Sequence, residues 1–122
     1  MTRRIIERRK DKAPANASLF LTQEDASTAT YVKHVEYALN LVGEDHVGVG
    51  LDYVYDAEEM NTHFKQDPAT FPPALYGEGA QMVTPWQLPE IAKTLADRGH
   101  RLTTLQKIFG GNFMRIAREV WR

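Results

Sequence analysis

Apolar positions between residues 16 and 50 predict a strand, a helix and a second strand. Residues 16–21 (NASLFL) form a short apolar run of the kind found in buried strands. From Thr28 to Val42 apolar residues recur at steps of three and four, which is typical of one face of a helix. Residues 46–50 (HVGVG) form a second short run that is rich in valine, which favours a buried strand over a helix. Candidate caps flank the helix, namely Asp25 or Ser27 at its start and Gly43 at its end.

Beyond residue 56 the pattern predicts helices separated by turns. A short helix is expected at residues 57–66, followed by a long loop rich in Pro and Gly. Residues 84–87 (TPWQ) resemble a capping box and predict a single turn. A helix is then expected to start with Pro89 at its first position and to stop at Gly99.

The last twenty residues predict two more helices. Thr103 with Gln106 is a candidate capping box for a short helix that ends at the glycine pair 110–111. Asn112 is expected to cap the final helix. That helix carries a wide apolar face that must bury against something, formed by Phe113, Met114, Ile116, Ala117, Val120 and Trp121.

The strand–helix–strand order predicts an α/β fold. A helix of this length between two strands usually connects parallel neighbours in one sheet. Two parallel strands cannot stand alone, because both faces and both edges need covering. No further strand is evident, so either another chain completes the sheet or this is the end of a longer α/β protein, and we favour the second.

Composition narrows the class of protein. A chain of 122 residues fits one small domain or a fragment, and 43% hydrophobic and 25% charged residues are ordinary for a globular protein. The net charge of -1 argues against a nucleic-acid partner or a membrane surface, and the absence of cysteine excludes disulfides and Cys-based metal sites. No apolar run reaches the length of a signal core or a membrane span, so the default location is cytoplasmic.

The first dozen residues differ from the rest of the chain. Residues 1–12 hold six basic and two acidic side chains, which is compatible with a nucleic-acid arm or with a solvated terminus. The solvated terminus is favoured because this stretch contains no aromatic residue. We therefore expect a basic, disordered start at residues 1–15 and one domain at residues 16–122.

Asp52 is the leading candidate for chemistry. Ligands of parallel α/β folds bind at the carboxyl ends of the strands. Asp52 lies two residues after Gly50, the last residue of the second predicted strand. A carboxylate there could act as a general base, a metal ligand or a partner for an ammonium group, or it could be a plain turn residue. Tyr53 and Tyr55 are candidate substrate contacts, whereas Asp56 can simply cap the next helix. The four histidines show no metal-binding spacing.

Two motifs give the chain a family resemblance. HVGVGLD at residues 46–52 and GGNFMR at residues 110–115, in this order, resemble the C-terminal part of the membrane (renal) dipeptidase family of metallopeptidases. The resemblance covers about residues 16–121. It implies the last two strands of a (β/α)8 TIM-like barrel plus its C-terminal helices, with residues 16–21 as the seventh strand and residues 46–50 as the eighth.

The same resemblance implies a function and its limits. Enzymes of this family hydrolyse dipeptides with two zinc ions, whose ligands lie on earlier strands and have no counterpart here. Asp52 matches the family's eighth-strand aspartate, which handles proton transfer near the bridging water and the leaving amine. The chain is therefore expected to lack metal ligands and to be inactive alone, with a dipeptide as substrate of the full-length form. The resemblance leaves homo-oligomerisation open. The alternative to the enzymatic function is a non-catalytic helical interaction module derived from the barrel.

Overall fold

The computed structural model of the chain describes residues 26–76 and 82–121. They fall into two compact units, one formed by residues 27–50 with residues 84–121, and the other by residues 51–76 with 82–83 and Ala26. The predicted boundary near residue 15 lies outside the described residues. Six α-helices are described in chain order: α1 Thr28–Val42, α2 Ala57–Gln66, α3 Pro73–Tyr76, α4 Leu88–Asp97, α5 Leu102–Gln106 and α6 Asn112–Val120.

The core of the first unit lies where α1 packs against α4. Helix α1 is capped at its start by Ser27, whose hydroxyl accepts a hydrogen bond from the Thr30 N–H, and at its end by Gly43, where φ is +82°. Apolar side chains at helical spacing then turn inward on both helices. The buried set comprises Tyr31, Val32, Val35, Ile91, Leu95, Leu105 and Ile108.

Short turns connect the helices of this unit. A 3₁₀ turn at Glu44–His46 follows α1, and a second at Pro85–Gln87 precedes α4. The predicted capping box is confirmed at the second turn, because the Thr84 N–H donates to the Gln87 side-chain oxygen at 2.8 Å. Between α5 and α6 the chain forms a π-helical turn at Lys107–Gly111, with a kink at Gly110.

The second unit is small and aromatic. Helix α2 is capped by Asp56, whose carboxylate accepts from the Glu59 N–H at 2.8 Å. Helix α3 follows after a turn at residues 68–70. The rings of Phe64, Phe71 and Tyr76 cluster with centroids 4.7 to 5.4 Å apart, and His63 packs edge-on against Phe71.

The α/β fold class predicted from the sequence is wrong. Residues 26–76 and 82–121 contain helices and turns but no strand and no sheet, so they are not the strand-containing end of a (β/α)8 barrel. Residues 46–50 lie partly in the Glu44–His46 turn and then run extended without a strand partner. The reason is that their backbone bonds to a helical region instead, through Val49 N–H and Ile108 O at 2.9 Å. The other predicted strand, residues 16–21, lies outside the described residues.

Helix predictions fared better than strand predictions. The helices at residues 28–42 and 57–66, the turn at 85–87 and the stop at Gly99, where φ is +93°, are confirmed. Two starts were misplaced. Helix α4 begins at Leu88 rather than Pro89, and α5 begins at Leu102, so Thr103 lies inside the helix instead of capping it.

Among the described residues, no helix combines the length and the hydrophobicity that a membrane crossing requires.

Candidate functional site

Residues 46–50 of the first motif lie against the second motif, residues 110–115, within the first unit, whereas Leu51 and Asp52 belong to the second unit. We call this contact, between residues 44–50 and 107–115, the motif junction. Asn112 is buried at its centre, and its side-chain amide donates to the Glu44 carbonyl at 2.7 Å and to the Val47 carbonyl at 2.8 Å. The prediction that Asn112 caps the final helix is therefore wrong, because its side chain ties a distant turn in place. Arg115 adds a bond to the Asp45 carbonyl at 2.8 Å.

Two glycines permit the close approach at the junction. A Cβ atom on Gly48 would lie 2.4 Å from two carbons of the Phe113 ring, closer than real contacts allow. A Cβ atom on Gly111 would lie 2.9 Å from the Gln106 carbonyl oxygen, which is fixed in the helix backbone. Space therefore requires a glycine at position 111, where the neighbour is backbone, whereas at Gly48 the neighbour is the outer end of the Phe113 ring, a side chain that can move.

The π-helical turn aligns α6 with the extended segment. Gly110 has φ of +156° and breaks the helical path between α5 and α6. The Ile108 side chain is fully buried, while its carbonyl accepts from the Val49 N–H. Gly110 thus supplies the kink between α5 and α6, close in sequence to the Ile108 carbonyl that bonds to the Val49 N–H.

A charge network covers the outer side of the junction. Lys107 lies 2.7 Å from a Glu44 carboxylate oxygen and 2.8 Å from one of Asp45. Hydrogen bonds from Lys107 and then Thr104 lower the pKa of Glu44 from 4.5 to about 2. Asp45 has a lowered pKa for the same reason, its bond with Lys107, and the two carboxylates raise the pKa of Lys107. Arg101 approaches Glu44 more loosely, at 3.4 Å.

Tyr31 anchors the end of the extended segment. Its ring is buried in the core of the first unit, and its hydroxyl donates to the Gly50 carbonyl at 3.1 Å. Burial raises the pKa of Tyr31, and the bond to Gly50 partly offsets that rise. Residues 47–50 are therefore held at Val47, Val49 and Gly50, two residues before Asp52.

Asp52 has an unusual backbone. Its φ of +51° makes it the one non-glycine residue with positive φ among the described residues. Aspartate tolerates this left-handed conformation better than most residues, although it still costs energy. Its side chain is exposed. Such a conformation is compatible with a functional position, and equally with the turn residue that the sequence left open.

The two tyrosines after Asp52 are brought together. Tyr53 is half-buried and Tyr55 is 81% exposed, and their rings meet edge to face with centroids 5.0 Å apart. The pair offers aromatic surface next in sequence to a carboxylate. Asp56, by contrast, is engaged as the cap of α2, as the sequence predicted.

The described residues do not supply a zinc site. No group of three or more His, Cys, Asp or Glu side chains among residues 26–76 and 82–121 is arranged to hold a metal ion. His63 packs against Phe71, and His100 lies 3.1 Å from Glu36. The zinc ions that the family resemblance implies do not fit this part of the chain, so no step through them is derived from it.

Sequence reasoning missed a second charge cluster, on α1 and after α4. Arg98 donates from two nitrogens to the two carboxylate oxygens of Glu36, each at 2.7 Å, and His100 joins at 3.1 Å. The bond from Arg98, followed by that from His100, lowers the pKa of Glu36 to about 2. Arg98 and His100 both lie more than sixty residues after Glu36 in the chain, so no local motif could have indicated the cluster.

Comparisons with known proteins give one relative. An uncharacterized protein in the pqqA 5′ region of Klebsiella pneumoniae is 31% identical over 98 residues, which is 80% of this chain and 29% of that protein. The chain thus spans less than a third of the length of the curated relative it matches. No family model matches the sequence, and no solved structure matches it.

Proposed function

We propose that the chain contributes a proton-transferring carboxylate, Asp52, to metal-dependent hydrolysis of dipeptides by a longer polypeptide. The proposal starts from the resemblance of residues 46–52 and 110–115 to the membrane dipeptidase family. The observation that supports it most is the motif junction. Segments about sixty residues apart in sequence meet through Asn112, which bonds the carbonyls of Glu44 and Val47.

The chemistry assigned to Asp52 is simple. Hydrolysis of a peptide bond adds water to the carbonyl carbon and breaks the C–N bond, and the leaving nitrogen must gain a proton. A carboxylate can accept a proton from the attacking water and then deliver it to that nitrogen. The exposed side chain of Asp52 suits this role. Tyr53 and Tyr55 are the proposed contacts for the substrate side chains.

Zinc enters the proposal only from outside the described residues. When bound, two zinc ions would acidify the attacking water and polarise the scissile carbonyl. No metal-binding group occurs in residues 26–76 and 82–121, and the family resemblance implies ligands on segments without a counterpart here, so the proposal assigns them to other polypeptide. The relative from Klebsiella pneumoniae carries such additional length, because the match covers 29% of it.

A chimera tests the proposal. The 98 residues of the Klebsiella protein that match would be replaced by the corresponding residues of this chain, and zinc-dependent dipeptide hydrolysis measured. We expect turnover that falls by about 10²- to 10⁴-fold in kcat on Asp52→Asn, the range for loss of a general acid–base. The matched control is Asp56→Asn, which keeps the side-chain oxygen that caps α2 and should leave kcat within about threefold.

Two results would contradict the proposal. One is the absence of zinc-dependent dipeptide hydrolysis both in the folded chimera and in the parent Klebsiella protein. The other is turnover that Asp52→Asn does not change. The isolated 122-residue chain is expected to show negligible turnover with zinc, and robust hydrolysis by it would refute the assignment of the metal ligands to other polypeptide.

A second candidate is a non-catalytic helical interaction module. It is favoured by a different observation, the row of large apolar side chains that α6 leaves exposed. The two candidates separate in the chimera assay, because a purely structural module would support binding of a partner but no hydrolysis dependent on Asp52.

A further inference from the structure

Two tyrosines form an aromatic surface directly after the carboxylate that is proposed for proton transfer. The rings of Tyr53 and Tyr55 meet edge to face with their centroids 5.0 Å apart. Tyr55 is 81% exposed, so most of its ring surface is accessible to a ligand. Asp52 precedes the pair in sequence and belongs to the same unit. The second unit therefore offers a substrate an aromatic contact in the same segment as the proposed acid–base group.

The two units differ in net charge. The described residues of the first unit hold seven Lys or Arg and six Asp or Glu, which gives a formal charge of +1. Those of the second unit hold five acidic side chains and one lysine, which gives a formal charge of -4 with histidine neutral. The five acidic residues are Asp52, Asp56, Glu58, Glu59 and Asp67. The tyrosine pair thus lies in a unit whose own charge attracts cations and repels anions.

The carboxylates of the second unit also lack the ion pairs found in the first. Glu36 and Glu44 each have basic partners within 3.4 Å. Among the described residues, no carboxylate of the second unit lies within 4.0 Å of a Lys, Arg or His nitrogen. Asp56 and Asp67 accept hydrogen bonds from backbone N–H groups, which carry no formal charge. The negative charge of the second unit is therefore not neutralised by basic side chains of the described residues.

A cationic side chain gains from the rings and from this charge together. An ammonium or guanidinium group over a tyrosine ring is attracted by the electron-rich face of the ring. The carboxylates of the same unit add a Coulomb attraction. An uncharged aliphatic side chain gains only the apolar contact, and an acidic side chain is repelled.

We propose that the Tyr53–Tyr55 pair selects dipeptides that carry a lysine or arginine side chain. The inference rests on the proposed function, because it names the substrate class of the same site. Tyr55 supplies the ring surface that the cation contacts, and Tyr53 supports that ring through the edge-to-face contact.

Titration of the purified 122-residue chain tests the selection without turnover. Gly-Lys and Gly-norleucine differ in the terminal ammonium group, so the ratio of their dissociation constants isolates the effect of the charge. Binding is followed through the tyrosine ring signals in NMR spectra. Gly-Lys is expected to bind about fivefold more tightly at low ionic strength. Salt at about 0.5 M should reduce this ratio to about twofold, because it screens the carboxylates.

Variants assign the preference to the pair. Tyr55→Leu removes the exposed ring and should reduce the ratio to about twofold or less, whereas Tyr55→Phe keeps a ring and should retain it. Tyr37→Leu is the matched control, since Tyr37 is 52% exposed on α1 of the first unit and should leave the ratio unchanged. The double variant Glu58→Gln/Glu59→Gln keeps both rings and should lower the ratio to about threefold. It tests the inference even where Tyr55→Leu changes the helix content measured by circular dichroism.

Three results of the titration would overturn the inference. They are equal affinity for Gly-Lys and Gly-norleucine, a preference for Gly-Lys that persists in folded Tyr55→Leu, and tighter binding of Gly-Phe than of Gly-Lys. The chimera separates this inference from the proposed function. Equal kcat/KM for Gly-Lys and Gly-norleucine in the chimera would refute only the substrate class, whereas hydrolysis of neither would refute the proposed function itself.

Discussion

The motif junction and the segment that follows it, residues 51–56, adjoin in the chain but are held in different ways. In the junction Gly48, Gly111 and Asn112 each have a packing or bonding reason for their identity. In the following segment Asp56 has such a reason as a helix cap, whereas Asp52 and Tyr55 are exposed. The comparison teaches that packing and hydrogen bonding can account for several residues of a motif, and that the proposed chemistry depends on a residue that packing does not require.

The largest expected effect is that of Asn112→Asp. The side chain keeps its shape but loses both donated bonds and places a carboxylate against two carbonyl oxygens. We expect a loss of about 3 kcal/mol in the free energy of unfolding, measured by urea denaturation. Asn40→Asp on the exposed side of α1 is the control and should change it by less than about 0.5 kcal/mol. Equal losses of stability in the two variants would show that the hydrogen bonds of Asn112 do not stabilise the junction.

Alanine substitutions at two glycines are expected to give the next largest change in stability. Gly111→Ala brings a Cβ atom 2.9 Å from the Gln106 carbonyl and should destabilise the chain by about 1–2 kcal/mol. Gly50→Ala meets nothing within 4 Å and should stay within about 0.5 kcal/mol of wild type. Thermal or urea unfolding measures both. A harmless Gly111→Ala would show that the glycine of this motif is not required by space.

Substitutions at Asp52 test the other side of the comparison. Asp52→Val puts a β-branched residue at φ of +51° and should cost about 1 kcal/mol. Asp52→Asn keeps a side chain that tolerates the left-handed region and should stay within about 0.5 kcal/mol, although it should lower kcat in the chimera by about 10²- to 10⁴-fold. Destabilisation by Asp52→Asn in urea would indicate that the carboxylate serves the fold.

The smallest effect is the pH dependence of the two charge clusters around Glu36 and Glu44. Glu36 and Glu44 have pKa values lowered to about 2, so each favours the folded state while ionised. Their contribution is present above the unfolded-state pKa near 4.5 and is lost as pH falls from there towards 2. Urea midpoints measured across that range should fall less steeply in Glu36→Gln and Glu44→Gln than in wild type. Unchanged slopes would mean that both clusters are screened by solvent.

Local sequence patterns predicted the helices well and the sheet wrongly. Capping boxes, helical spacing and stop glycines act within a few residues, so α1, α2 and the turn before α4 could be located directly. The Val-rich residues 46–50 were misread because a short apolar run looks the same whether it pairs with a strand or packs on a helix. The partner of Val49 is the carbonyl of Ile108, which no local pattern identifies.

The candidate site was predicted in part for the same reason. Asp56 as a helix cap followed from its position before α2, and the structure confirms it. The role of Asn112 was mistaken, because its partners lie more than sixty residues away. The assignments of Asp52, Tyr53 and Tyr55 to catalysis and substrate binding stay predictions.

By itself the sequence determined the positions of most helices, the cap at Asp56, the glycine stops and the apolar stripe of α6. These depend on spacing and on conformational preferences that operate along the chain. Only the tertiary structure decided that Val49 bonds to a π-helical turn rather than a strand, that Asn112 joins two motifs, and that most of the apolar stripe of α6 is left exposed. Hydrogen bonds and packing between distant residues select one partner among many, and that choice is not written in any short stretch of the chain.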